Sequence, residues 1–461
     1  MNINDRSEVV SAMLEASQPI RDLLAGGAHM RKRGERWLPK FTLEEQEDYK
    51  ARLASTWLFN GTKKARDDMA GKVFEKPVHL ADQEGQLFDW CQNIDLEGRD
   101  LSNFAFDVFK GGIEGGISFI MADAPPRDGD VTRGQAQAMG LRPHLSHIRL
   151  SDVLGWKWEN IRNAPVLTQF RCMERVAKAD RSEFSDETVE QIRLLALEDG
   201  RVYVRLYQKS SDDSANRGKW VVVEEYQTDM EEIQVTPFYT GRTGFMTAEP
   251  PLADIAEINM AHWRVQSDKS SCLHKALSPL LLIKGIDVEG GRVVNSAGYA
   301  FHSTADNAAL SWAEITGSGI QAGTDELAQL EKQMQWMGLQ LIMERSGVST
   351  ATGDSIDENK STSKLKAWAD NLKDALEIAL TWMADMGGLS GVDTDVVVNK
   401  EFSIMGHLSL GDVRDMYNSG AISRETYIGE AQRRGVLSED VSAEDEAERI
   451  QSEGLDGELT A

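Results

Sequence analysis

Several groups of residues in this chain have types and spacings that invite chemistry. Gly111, Gly112, Gly115 and Gly116 form a cluster that suggests a phosphate-cradling loop. The motif is incomplete: no GxxxxGK(S/T) occurs, no GxGxxG stands between a strand and a helix, and Gly71-Lys72 is followed by Val73. Close packing of a helix on a strand is the better account of these glycines. Asp123, Asp128 and Asp130 can be read as metal ligands of a nuclease, but such spacing is common in solvated loops and no nearby His or Glu completes a site. His144 and His147 are three apart on a strand-like stretch, which points them to opposite faces. There is no HExxH, no GxSxG elbow and no catalytic cysteine context. Cys91, Cys172 and Cys272 are far apart and form no CxxC pair, so buried free thiols in a reducing cytoplasm are expected. No metal or cofactor is expected. The last group is Arg345–Lys360, sixteen residues of mostly Ser, Thr, Gly, Asp and Glu in which only Val348 and Ile356 are strongly apolar. A loop that long inside a compact domain is usually functional or disordered.

The elements around these groups follow from periodicity. Residues 6–34 read as a helix followed by a basic, glycine-containing turn. Thr42 and Glu45 have capping-box spacing, which predicts a helix through Tyr49, Leu53 and Trp57. Ala65–Val73 continues helical until Pro77. Leu101, Phe104, Ala105, Val108 and Phe109 recur at i, i+3, i+4, i+7 and i+8, an amphipathic helix, and Ile117–Ala122 reads as a buried strand. From 143 to 245 the period shifts toward two, with a turn at Asp199-Gly200, which predicts an antiparallel β region. Residues 252–277 return to helix, with Leu252, Ile255, Ile258, His262 and Val265 on one face. A short mixed segment follows. Leu327, Leu330, Met334, Met337 and Leu341 then step by three and four, a heptad seam, behind Thr324, Asp325 and Glu326 as cap and dipole residues. Beyond the polar loop, Leu365, Trp368, Leu372, Leu376, Ala379 and Met383 mark another long helix, closed by Gly387-Gly388 and followed by a strand at 396–398. Two short helices are expected within 408–437, then an acidic tail. The fold class is α+β.

The 461 residues suit two to four subdomains, and 41% hydrophobic with 27% charged residues is ordinary globular composition. The net charge of −25 argues against a protein that wraps or reads DNA, since phosphate affinity comes from Lys and Arg. It does not argue against one that DNA slides past. The start, MNINDRSEVV, has no apolar core of a signal peptide, and Leu277–Ile283 is far short of the roughly 20 residues of a membrane span. A soluble chain, cytoplasmic when made and in contact with no membrane, is expected.

Several motifs occur in a telling order: Trp37-Leu38-Pro39-Lys40-Phe41, the stretch 69–77, Asn93-Ile94-Asp95-Leu96 with Phe104-Ala105, and Arg142-Pro143-His144-Leu145 leading to Asp152–Trp156. Ala253–Ser267 and Thr350-Ala351-Thr352 follow. In this order, from about residue 20 to about 440, the chain resembles the portal proteins of tailed bacteriophages, and most closely a group catalogued as a domain of unknown function. The resemblance implies a ring of about twelve copies closed by a heterologous interface, located in the virion at one capsid vertex. It implies a wing at 1–251 and 361–408, stem helices at 252–277 and 321–343, a small α/β clip at 278–320, a channel loop at 344–360, and a short helical crown with the acidic tail at 409–461. Double-stranded DNA would pass without sequence recognition. The implied partners are the terminase large subunit, major capsid and scaffolding proteins, and a head-completion or tail adaptor protein. The chain itself would catalyse nothing.

Within that frame Ser349, Thr350 and Thr352 would make weak, exchangeable phosphate contacts, Asp354, Asp357 and Glu358 would prevent tight holding, and Lys360 would attract. A surface loop is the plainer alternative. Arg264, Lys269 and Lys275 would guide DNA, or else be solvated or paired with Asp254, Glu257 and Asp268. Lys332, Gln333 and Gln340 lie off the seam, some toward the channel. Ile255, Ile258, Leu327, Leu330, Met334, Met337, Leu341, Trp368 and Leu372 would pack the stems and the ring. A head–tail adaptor or minor capsid protein is the alternative within the structural class, and a metal-dependent nuclease the alternative outside it.

Overall fold

The computed structural model describes residues 2–124, 141–178, 184–210, 217–277, 280–284, 309–313, 318–342, 364–389 and 391–400, with scattered residues between 414 and 437. The chain divides into two units, Met1–Lys400 and Glu401–Ala461. The expected short helices of 408–437 and the tail lie largely outside the described residues. All that follows concerns the first unit, a mixed α and β body as expected.

The centre is a three-stranded antiparallel sheet, β3 (His144–Ile148), β2 (Ile117–Asp123) and β9 (Val235–Tyr239), in that order. β2 is buried on both faces. Ile117, Phe119 and Met121 pack with Val10, Met13 and Leu14 of helix α1 (Glu8–Leu24) and with a second sheet. The opposite face, with Ser118, lies under α6 (Leu101–Gly115). The expected stripe of α6 is realised, since Leu101, Phe104, Ala105, Val108 and Phe109 are all buried. The glycines give close packing, as read. A Cβ on Gly112 would lie 2.3 Å from the Phe238 ring, and Gly116 sits at φ +80° against the Glu249 carbonyl.

The second sheet is an antiparallel meander of β4 (Val153–Ile161), β5 (Ala164–Ala177), β6 (Thr188–Glu198), β7 (Arg201–Lys209) and β8 (Trp220–Gln227). Its inner residues Phe170, Cys172, Leu195, Val202 and Val204 join the core. Asp199-Gly200, both at positive φ, make the tight turn between β6 and β7 as expected.

Four local expectations are corrected. The basic stretch after α1 is helical, α2 (Gly27–Arg33), not a turn. The capping box at Thr42 does not form. Helix α3 (Gln46–Ser55) starts at Gln46, so Glu45 stands at the N-cap position itself rather than three residues inside the helix, and no side chain caps it. That helix ends at Ser55, and Asn60 caps a separate one, α4 (Gly61–Val73), by accepting from the Lys63 N–H. Finally, Cys272 is exposed rather than buried. Cys91 and Cys172 are buried, and burial pushes the Cys91 thiol up to about 12.

Strand β1 (His79–Leu80) and α5 (Gly85–Cys91) lie between α4 and α6, and β10 (Arg242–Gly244) with β11 (Thr247–Ala248) follow β9. Three long helices complete the unit: α7 (Ala253–Leu277), α8 (Ser318–Ile342) and α9 (Lys364–Met386). β12 (Leu280–Lys284) and β13 (Ala309–Ala313) pair antiparallel in the insert between α7 and α8. After α9, β14 (Val396–Val397) pairs with β1. Among the described residues, no helix is long and apolar enough to cross a membrane.

Candidate functional site

The α7–α8 pair is the feature that the body is built to hold. The two helices run antiparallel, as two contacts fix: His262 meets Glu331, and Lys269 lies along Gly323. α8 begins at Ser318, earlier than the sequence suggests. Thr324 is not a cap. Its hydroxyl donates to the Ile320 carbonyl inside the helix. The seam is realised at Leu327, Leu330 and Met334, all buried, and Met337 is half-buried. Leu341 lies in α8, but its side chain is outside the described residues.

The root of the pair is locked by polar groups. Asn259 accepts from the Thr62 N–H and hydroxyl, both at 3.0 Å, and donates to the Phe59 carbonyl at 2.7 Å. These bonds tie α7 to the start of α4. α8 crosses the same start closely, since a Cβ on Gly61 would lie 2.7 Å from the Met334 sulfur. His262 is buried, with Nε2 3.2 Å from Glu331 and the Phe59 ring alongside. Burial lowers its pKa, and Glu331 offsets only part of that. Arg52 is buried in a bidentate pair with Glu44 and donates to the Ser267 hydroxyl and to the Pro39 carbonyl. Its guanidinium lies 4.1 Å from the centre of the Phe41 ring.

The Trp37–Phe41 connector is thereby clamped between α1 and α7. The Trp37 indole donates to Asp22 at 2.7 Å, Leu38 is buried, and the Trp37 carbonyl accepts from Arg264 at 3.1 Å. Burial opposes ionisation of Asp22, but hydrogen bonds from Trp37, His29 and Arg33 outweigh it and hold its carboxyl below the usual range.

Toward their other ends the two helices lose cover. Residues 271–274, 277 and 318–326 are exposed or half-buried, with Leu277 74% exposed. Of the cations read from the sequence, Arg264 and Lys332 are exposed and Lys269 is half-buried. Arg264 and Lys269 form no ion pair with Asp254, Glu257 or Asp268 among the described residues. Gln333 is exposed. Lys275 and Gln340 lie in the helices, with side chains outside the described residues. Ser349, Thr350, Thr352, Asp354, Asp357, Glu358 and Lys360 are outside them altogether. Ile255 is buried and Ile258 half-buried. Trp368 and Leu372 are buried in α9.

These burials change the meaning of the seam. Ile255, Leu327, Leu330, Met334, Trp368 and Leu372 are already covered within one chain, so a neighbouring copy would meet the opposite faces of these helices. The acidic group at Asp123 is engaged otherwise. Asp123 pairs with Arg193 at 2.8 Å, and Arg193 with Glu174 at 2.6 Å. Asp128 and Asp130 lie outside the described residues. Among the described residues, no three His, Cys, Asp or Glu side chains converge.

Sequence reasoning missed Asn259, Thr62, Arg52, Glu44 and Ser267. Their only local signal is Asn60, an N-cap residue just ahead of Gly61.

A family profile described as a domain of unknown function (DUF4055) matches residues 251–386, which hold α7, the insert, α8 and α9. That is less than half of the chain and narrower than the resemblance read from the sequence. No curated protein matches. Among solved structures, the chain is similar to one from "Virion of native gene transfer agent (GTA) particle", at TM-score 0.38 and 10% identity, covering 82% of this chain and 89% of that one. It is also similar to one from "Neck of empty GTA particle computed with C6 symmetry", at 0.39 and 11%, covering 79% and 88%. A third is from "Neck of native GTA particle computed with C12 symmetry", at 0.36 and 11%, covering 80% and 88%. At scores this low the likeness does not amount to a shared fold.

Proposed function

We propose that this chain is the subunit of a closed ring at one vertex of a phage-like capsid, a portal through which double-stranded DNA passes. The observation that carries the reading is the helix pair. Two antiparallel helices are bolted to an α+β body at one end, lose cover toward the other, and are joined there by a strand-paired insert. The motifs of the sequence, in their order, and the family profile over 251–386 support it.

In this reading the covered faces of α7, α8 and α9 stabilise the subunit, and their open faces meet neighbours and the channel. Arg264, Lys269, Lys275, Lys332, Gln333 and Gln340 supply sparse contacts to phosphate. Each phosphate contact that forms adds about one unit to the salt slope. Residues 344–360 form the channel loop, where Lys360 attracts phosphate and Asp354, Asp357 and Glu358 prevent holding. The insert receives the terminase large subunit and later an adaptor protein. The chain supplies a conduit and no bond-breaking chemistry, and it takes no cofactor.

The test is a low-resolution image of the purified full-length chain. The expected result is a cyclic particle with a central bore and the α7–α8 pairs around it. A compact single copy, or a closed particle without a bore, overturns the reading.

A further inference from the structure

The charge of α2 and the connector that follows it is opposite to that of the chain. Among residues 27–40 stand Arg31, Lys32, Arg33, Arg36 and Lys40 with Glu35 as the one carboxylate, in a protein of net charge −25. Lys32, Arg36 and Lys40 are exposed. Arg36 lies over the Trp37 ring at 5.1 Å, Lys40 donates to Gln46 at 3.3 Å, and the neighbouring exposed Arg264 is anchored on the Trp37 carbonyl. The patch is therefore a positioned cationic surface beside α7.

On α9 the exposed face beyond Lys364 has the complementary composition. Ile378, 44% exposed, stands at its centre, with the exposed Asp374 one turn before it and the exposed Asp385 two turns after. Neither carboxylate has a cationic partner among the described residues. The two surfaces are carried by different neighbours of the helix pair. α7 packs against α1, α3 and α4, whereas α8 packs against α4 and α9. The connector lies against α7, where the Trp37 carbonyl accepts from Arg264. α9 lies against α8.

We infer that the cations Lys32, Arg36 and Lys40, with Arg264, dock on the Asp374–Ile378–Asp385 face of α9 in a second copy of this chain. This deepens the ring reading and rests on it. A cyclic assembly needs two different, complementary patches on opposite sides of one subunit. Opposite charge at the rim and an apolar centre fit a protein–protein contact. The apolar centre is what a phosphate backbone would not need, so a second copy is favoured over duplex DNA as the partner.

Single exposed ion pairs contribute little, so the test reverses several charges together. One variant carries Lys32→Glu, Arg36→Glu and Lys40→Glu. The other carries Asp374→Lys and Asp385→Lys. Each is measured for assembly mass by light scattering in low salt, with circular dichroism as the check on folding. Each variant alone is expected to lose the ring and stay a folded single copy. Mixing the two is expected to restore it, because acidic and cationic flanks then alternate around the circle. Restoration on mixing also rules out simple misfolding. If the wild-type chain forms rings and either variant keeps them, this docking is overturned while the ring reading stands. The same holds if the cationic reversal keeps the ring and loses only retention of duplex DNA. If the wild-type chain forms no ring, both readings fall together.

Discussion

Under α6 the chain buries mostly carbon, with one imidazole–hydroxyl pair; at the root of the α7–α8 pair it buries amides, an imidazole and a guanidinium. The first region is Phe104, Val108, Phe109 and Phe238 over β2 and β9, brought close because Gly112 has no side chain. The second is Asn259, Thr62, His262, Arg52 and Ser267, each answered by a partner on another element. Carbon packing tolerates small slides. A hydrogen bond or ion pair cut off from water fixes position and costs heavily when one partner is lost. A body that carries two long helices into solvent needs that second kind of joint at their base.

The comparison can be broken most sharply at Arg52. Arg52→Met leaves Glu44 buried without its bidentate partner and frees both Ser267 and the connector. A loss of about 3–4 kcal/mol in denaturant unfolding is expected. A loss near zero would mean that the joint is only decoration.

Acid tests the other region. His147 is half-buried between α6 and the sheet, with Nε2 2.6 Å from the Ser118 hydroxyl. Burial first, then Arg149, depress its pKa to about 4, with Asp107 opposing and Arg99 adding. A histidine lowered from about 6.5 binds fewer protons folded than unfolded. Its contribution is therefore complete above pH 6.5 or so and is lost as pH falls toward about 4. A destabilisation on the order of 3 kcal/mol over that window is expected, and His147→Gln should flatten it. His262 at the root is shifted the same way, so His262→Gln should remove a smaller share of the acid loss.

Two smaller changes separate the regions by mechanism. Gly112→Ala forces a methyl into the Phe238 ring and should cost about 2 kcal/mol, felt mainly as a lower melting temperature. Asn259→Ala removes three hydrogen bonds at the root and should cost about 1–2 kcal/mol. Hydrogen exchange should then quicken at the roots of α7 and α8 and leave α6 unchanged.

The two regions also differed in how far the sequence disclosed them. The α6 stripe, the buried β2 strand, the Asp199-Gly200 turn and the glycine packing were all legible, because apolar spacing and turn chemistry are local signals. The antiparallel β region and the three long helices were legible for the same reason. The joint was not. Asn259 and Thr62 are 197 residues apart, and a polar pair at that distance leaves no period to read. Thr324 looked like a cap because the turn before it, Ser318–Gly323, has a single strongly apolar residue, Ile320. The seam of α8 was legible as packing, yet its partner was not, since a heptad pattern does not say whether the holes belong to the same chain. Here α7 and α4 supply them.

The ring is the claim on which the channel, the flanking charges and the open faces of α7, α8 and α9 all depend. Its most direct test is the mass in solution of the full 51.2 kDa chain at rising concentration. A single species of many copies, unchanged on dilution, is the result expected. A mass that stays at one chain throughout contradicts the account.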